Sequence, residues 1–192
     1  MSEVFIKEEA GMNLKLDRAN KILAGIGRTS GVFHAVGAAL SRAVQSAKAK
    51  SGTFAAQRYF ISAGGFKSHV NTKTYMEGGA SEGGVMGVRL VFAGSVIRLI
   101  EFSTGFSKDG GVTVHVKRGG GGTITQGFIA NTGRLGIYER VGSSRLPIEQ
   151  KFGPSAAHMM MDPTVVQQMA DTIENTFNSR IEHEIDRVLN GW

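Results

Sequence analysis

The chain has 192 residues, 41% of them hydrophobic, and a formal net charge of +6. That length suffices to bury a core as one domain, 1–192, and the lack of cysteine excludes a disulfide framework, a thiolate metal site and a cysteine nucleophile. No apolar run approaches the roughly 20 residues that cross a bilayer, and the opening MSEVFIKEEAG is acidic without an apolar leader core, so cytoplasm, or a particle assembled there, is the expected setting.

The charge is unevenly spread. Met1 to Glu9 holds three acids and one base, and Asp162 to Trp192 holds six acids and two bases. The middle, Ala10 to Met161, therefore carries nineteen bases against seven acids, or +12. Such a split suits a polyanion surface, and equally suits head-to-tail packing of like subunits, acidic end against basic middle. The bases are scattered and no recognisable reading element accompanies them, which favours subunit packing or plain solvation over sequence-directed nucleic-acid binding.

In chain order, residues 1–30 form a less distinctive N-terminal extension with one short helical pattern, Asp17 to Ile26. A longer helix is predicted from about Ser30 to Lys50, where Val32, Phe33, Val36, Leu40, Val44 and Ala47 share a face and Ala35, Ala38, Ala39 and Ala43 permit close approach of a neighbour. From Tyr59 to Ile148 the pattern changes to short alternating runs separated by glycine, the mark of antiparallel strands. VRLVFAG and SVIRLIEFS read as strands around Gly94-Ser95. VTVHVKR sets Val112, Val114 and Val116 on one face and Thr113, His115 and Lys117 on the other, and TITQGFIA, RLGIYERVG and RLPIEQ follow. Two glycine-rich stretches, EGGASEGG from Glu77 and the run Gly119 to Gly122, are expected as loops or hairpin tips.

All three prolines fall in one stretch, RLPIEQKFGPSAAHMMMDP, from Arg145 to Pro163. Pro147 suits a strand edge, Gly153-Pro154 reads as a turn, and Met159 to Met161 are either filler beneath a helix or a soft contact surface. Asp162-Pro163 then supplies an N-cap followed by proline at the first helical position. The helix, 163–189, carries a stripe of Val165, Val166, Met169, Ile173, Phe177, Ile181, Ile185, Val188 and Leu189. The fold class expected is α+β: a small antiparallel β body, as a sandwich or partly open barrel, flanked by an N-terminal Ala-rich helix and a long C-terminal amphipathic helix.

No catalytic, cofactor-binding or metal-binding residue is assigned. The tetraglycine run lacks the GxxxxGK[ST] spacing and no helix start follows it. The five histidines show no paired ligand spacing, and Glu182-His183-Glu184 occupies consecutive helical positions that diverge by about 100°, so a solvated face is the better account. There is no GxSxG, and Glu139 and Glu149, conceivable as paired carboxylates on neighbouring strands, are of the kind that sheets carry on a solvent face. Arg58-Tyr59-Phe60 and Gly65-Phe66-Lys67 are too sparse to announce a single-strand binding platform.

Several segments in order resemble the prophage minor tail protein Z family, the lambda-like tail-completion proteins of long-tailed bacteriophages. They are the Ala-rich helix, IRLIEFS, VTVHVKRG, GFIANTGRLGIYERVG, RLPIEQKFGPS and the final NSRIEHEIDRVLNG. The resemblance covers about Val32 to Gly191 and is most specific from Phe128 to Ser155, with the arrangement of Arg145, Leu146, Pro147, Ile148, Gly153, Pro154 and Ser155. It implies a non-enzymatic virion protein of the tail or neck, without cofactor, assembled in the host cytoplasm. It further implies a homo-oligomeric, commonly hexameric, ring that meets the tail terminator or tube on one side and head-completion or connector proteins on the other. Non-specific contact with genomic DNA in the lumen, and no membrane, belong to the same expectation. The rival readings are a non-specific DNA-binding module using the basic middle segment and a small hydrolase relying on Glu139 and Glu149.

Overall fold

The computed structural model describes residues 3–4, 29–78 and 86–190. The helical pattern Asp17 to Ile26 and most of the Glu77 to Gly84 stretch lie outside them. Strand β1 (Glu3–Val4) is followed by helix α1 (Thr29–Arg58), the short helix α2 (Ala63–Ser68) and strands β2 (Asn71–Gly78), β3 (Met86–Ala93) and β4 (Val96–Arg98). A 3-10 turn (Leu99–Glu101) leads to β5 (Ser103–Phe106), β6 (Val112–His115), β7 (Gly122–Ile124), β8 (Gly127–Asn131) and β9 (Leu135–Arg140). Strands β10 (Ile148–Gln150) and β11 (Phe152–Ser155), helix α3 (Ala156–Met159) and helix α4 (Pro163–Leu189) complete the chain. The class is α+β as expected, and among the described residues the strands form four small sheets.

The described residues group into two compact units, one of 3–4, 29–51, 72–78, 86–91 and 166–190, the other of 52–71 and 92–165. In the first, the helical unit, α1 buries Ala35, Val36, Ala39, Leu40, Ala43, Val44 and Ala47, and α4 buries Met169, Ile173, Phe177 and Ile181, the stripes their periodicity predicts. Strand β3 lies between β1 and β2, with Glu3 opposite Val91 and Val4 opposite Leu90. Helix α1 runs on to Arg58 rather than ending near Lys50. The Ser51 hydroxyl donates to the Lys48 carbonyl at 2.8 Å, so a residue that is unfavourable in helix interiors is satisfied within this one.

One polar residue in this unit departs from the sequence reading. Glu182 and His183 are exposed, but Glu184 is buried and ion-paired to Arg42 of α1 and, at 3.0 Å, to Arg187. A buried carboxylate needs such partners, because an unpaired charge out of water is costly.

The second, sheet unit contains β5-β6-β7, β8-β9-β10 and β4-β11, antiparallel throughout. Val112, Val114 and Ile137 form a core packed by Leu99, Ile100, Val116, Ile124 and Ile129, each fully buried aliphatic stabilising by about 1.5–3 kcal/mol. The alternation in VTVHV is as read: Val112 and Val114 are buried and His115 is exposed. SVIRLIEFS is not one strand, since the 3-10 turn interrupts it, with the Phe102 amide donating to the Leu99 carbonyl at 3.1 Å. The glycine run forms the connection between β6 and β7 and its last member, Gly122, already pairs with Val114.

Candidate functional site

The segment that carries the resemblance is a series of anchored short elements. Arg145 and Leu146 are exposed, and the Leu146–Pro147 peptide is cis. The Pro147 carbonyl accepts from the Val141 amide at 3.1 Å and so closes the β9–β10 hairpin, in which Ile148 lies opposite Arg140. Lys151 then faces two ways. Its amide donates to the Ile137 carbonyl at 2.8 Å, and its own carbonyl accepts from the Leu99 amide at 3.3 Å.

Gly153 and Pro154 do not turn the chain: both lie within β11. Phe152 is opposite Arg98 and Ser155 opposite Val96, so two residues of β11 stand against Ile97 alone, the geometry of a bulge. A bulge tolerates a proline, which has no amide hydrogen for the ladder. Gly153 is required by close packing, since a Cβ there would sit 2.8 Å from Cε2 of Phe102 and 3.3 Å from Cδ2 of Leu99. The change of direction comes at Ser155, whose Oγ accepts from the His158 amide at 3.1 Å and caps α3. Met159 and Met160 are buried, as filler would be, and Met161 is exposed.

Asp162 ends the segment as a buried carboxylate. Its Oδ1 accepts from the Thr164 amide at 3.0 Å, the N-cap bond of α4. Its Oδ2 is 2.5 Å from Lys117 Nζ and 3.3 Å from Arg58 Nε. Burial alone would push this carboxyl upward, but the Lys117 ammonium, the Thr164 amide and the Arg58 guanidinium outweigh it and hold the group at about 2. Burial, reinforced by the Asp162 charge, pushes the neighbouring Tyr59 phenol up.

A second polar cluster had no signal in the sequence. His69 Nε2 lies 2.7 Å from Glu101 Oε2, Arg98 Nε donates to Glu101 Oε1 at 2.9 Å, and Arg98 Nη1 reaches the Leu135 carbonyl at 3.3 Å. Burial works against the charged form of Glu101, yet the bonds from His69 and Arg98 prevail and lower its pKa. Isolated in sequence, His69 offers no spacing that names Glu101 as its partner.

Glu139 and Glu149 are directly opposite in the β9–β10 register, as the carboxylate pair imagined for a hydrolase would be. Lys151 Nζ sits between them, 2.7 Å from Glu139 and 3.4 Å from Glu149, and the bond to Glu139 leads the causes that raise the Lys151 pKa. The arrangement is an ion-pair bridge on a sheet surface. Among the described residues no group of three or more His, Cys, Asp or Glu is placed to hold a metal ion, and no helix is long and apolar enough to cross a membrane. None of the family models, curated proteins or solved structures compared with the chain matches it.

Proposed function

We propose that the chain is a structural subunit of a tailed-bacteriophage virion, a tail-completion or neck protein. In this reading it forms a ring that finishes the tail and joins it to the head around the DNA channel. The observation that carries the reading is the way the resembling segments fold. IRLIEFS, GFIANTGRLGIYERVG and RLPIEQKFGPS lie in one unit, and the amide and carbonyl of Lys151 tie the third to the other two.

The exposed side chains of this framework add support. Leu146 is 67% exposed and Phe152 47%, with Val141 and Leu135 also exposed among the described residues. Large apolar groups held outward on paired strands (Leu135, Phe152) and on the β9–β10 connection (Val141, Leu146) are the kind of surface that a neighbouring subunit covers. A closed ring needs contacts between unlike faces, which the acidic C-terminal segment and the +12 middle would supply with complementary charge.

The test is to mix the purified protein with tails lacking it and follow the mixture by light scattering and electron microscopy. Capped tails and ring-shaped assemblies are expected. A permanent monomer that never associates with tails overturns the reading.

A further inference from the structure

The sparse run Arg58-Tyr59-Phe60 acquires neighbours in the fold. Tyr59 forms an antiparallel bridge with Lys117, the Phe60 amide donates to the Val116 carbonyl at 2.9 Å, and the Arg118 amide donates to the Arg58 carbonyl at 2.9 Å. The end of α1 is thus stitched to the chain leaving β6. The Arg118 guanidinium stacks 4.8 Å over the Phe60 ring while its Nε donates to the Ala56 carbonyl at 3.1 Å. The His115 ring meets the same phenyl edge-on at 6.0 Å.

A glycine turn borders this cluster. The Gly120 amide donates to the Lys117 carbonyl at 3.1 Å with Gly119 at φ +82°, the third position of a type II turn, where glycine is favoured. Gly121 lies so close to the His115 ring that a Cβ would not fit, and His115 Nδ1 is 3.3 Å from the Gly120 carbonyl oxygen. Residues Gly119 to Gly122 are all exposed, so the surface beside Arg118 is bare backbone.

The charges do not cancel here. Arg58 and Lys117 share the single carboxylate of Asp162, and among the described residues no carboxylate pairs with Arg118. Arg58, Lys117, Arg118 and Asp162 therefore sum to a formal charge of +2, and the cation at the edge of the cluster is held by the Phe60 ring and the Ala56 carbonyl. Stacking and the Nε bond orient the guanidinium plane, leaving both Nη groups as a fork.

We propose that Arg118, set by Phe60 and flanked by His115 and the Gly119–Gly122 turn, binds the phosphodiester backbone of DNA. A guanidinium fork matches two phosphate oxygens, and the side-chain-free turn lets a polymer backbone approach closely. Contact of this kind neutralises phosphate without reading bases, so it is independent of sequence. The choice of DNA as the phosphodiester rests on the proposed function; the site itself rests on the geometry.

The test is fluorescence anisotropy of a labelled DNA duplex titrated with the full chain across a salt series. Wild type, Arg118→Ala, Phe60→Leu and Lys108→Ala are compared, Lys108 being an exposed cation outside the cluster whose loss removes the same formal charge. Wild-type binding should weaken with salt, and Arg118→Ala should lower affinity about 5- to 10-fold and reduce the salt slope by about one. Phe60→Leu, which keeps the charge but frees the guanidinium, should give a smaller loss, and Lys108→Ala should stay within about twofold of wild type. No wild-type binding, no loss in Arg118→Ala, or equal losses in Arg118→Ala and Lys108→Ala would each overturn the site. Tail association is scored separately on the same proteins. Tails that join normally while Arg118→Ala leaves DNA affinity unchanged defeat this site alone, whereas an Arg118-dependent DNA affinity without tail association defeats the functional reading and leaves the site standing.

Discussion

Lys117 Nζ lies 2.5 Å from Oδ2 of Asp162, the residue whose other oxygen caps α4. One buried carboxylate thus holds the start of a long helix and two cations from elsewhere in the sheet unit. Its pKa lies below the ordinary value of 3.8, at about 2, so the stabilisation is present above about pH 4 and is lost as pH falls through about 2. Asp162→Asn should flatten the acid limb of the stability curve between these values, read by circular dichroism at stepped pH. Asp162→Ala, which also removes the cap, should cost about 2 kcal/mol at neutral pH.

Gly153→Val should destabilise the fold rather than act on assembly alone. The new side chain would be driven into Phe102 and Leu99, and overpacking of this sort costs about 1–3 kcal/mol. Chemical denaturation should show a lower midpoint. Pro154→Ala, at the bulge where the neighbouring strand asks for no donor, should fall within about 1 kcal/mol of wild type.

Leu146→Glu and Phe152→Glu should separate folding from assembly. Both side chains are exposed, so thermal midpoints should remain near wild type, while association with tails should drop sharply in light scattering. Normal association by the double variant would remove this surface from the proposed interface.

Glu184→Ala should loosen the helical unit, because Arg42 and Arg187 lose their shared acceptor. The arginines are about half exposed and can turn to water, which places the cost at about 1–3 kcal/mol, below that of a fully buried pair. Hydrogen exchange should rise along the C-terminal half of α4.

What could be read from sequence was local. The cap at Asp162, the stripe from Val165 to Ile181 and the alternation of Val112 and Val114 depend on residues a few positions apart, and all three appear as expected. Gly153-Pro154 misled because turns and bulges favour the same residues, and only the pairing of β11 with β4 tells them apart. Glu184 and His69 were beyond reach for another reason. Arg42, which ties Glu184 to α1, and Glu101, the partner of His69, are distant in the chain, and no periodicity links an acid to a base across such a gap.

The segment from Pro147 to Thr164 holds its bonds in series: the Pro147 carbonyl, both main-chain groups of Lys151, the Ser155 cap and the Asp162 cap. No stretch between them is a slack tether. A pull on Leu146 from outside would travel through the β9–β10 hairpin, the bulge and α3 to the first turn of α4, loading each fastening in turn. The prolines, methionines and caps together form a tension member, one that would carry strain from an exposed apolar grip to the base of the C-terminal amphipathic helix.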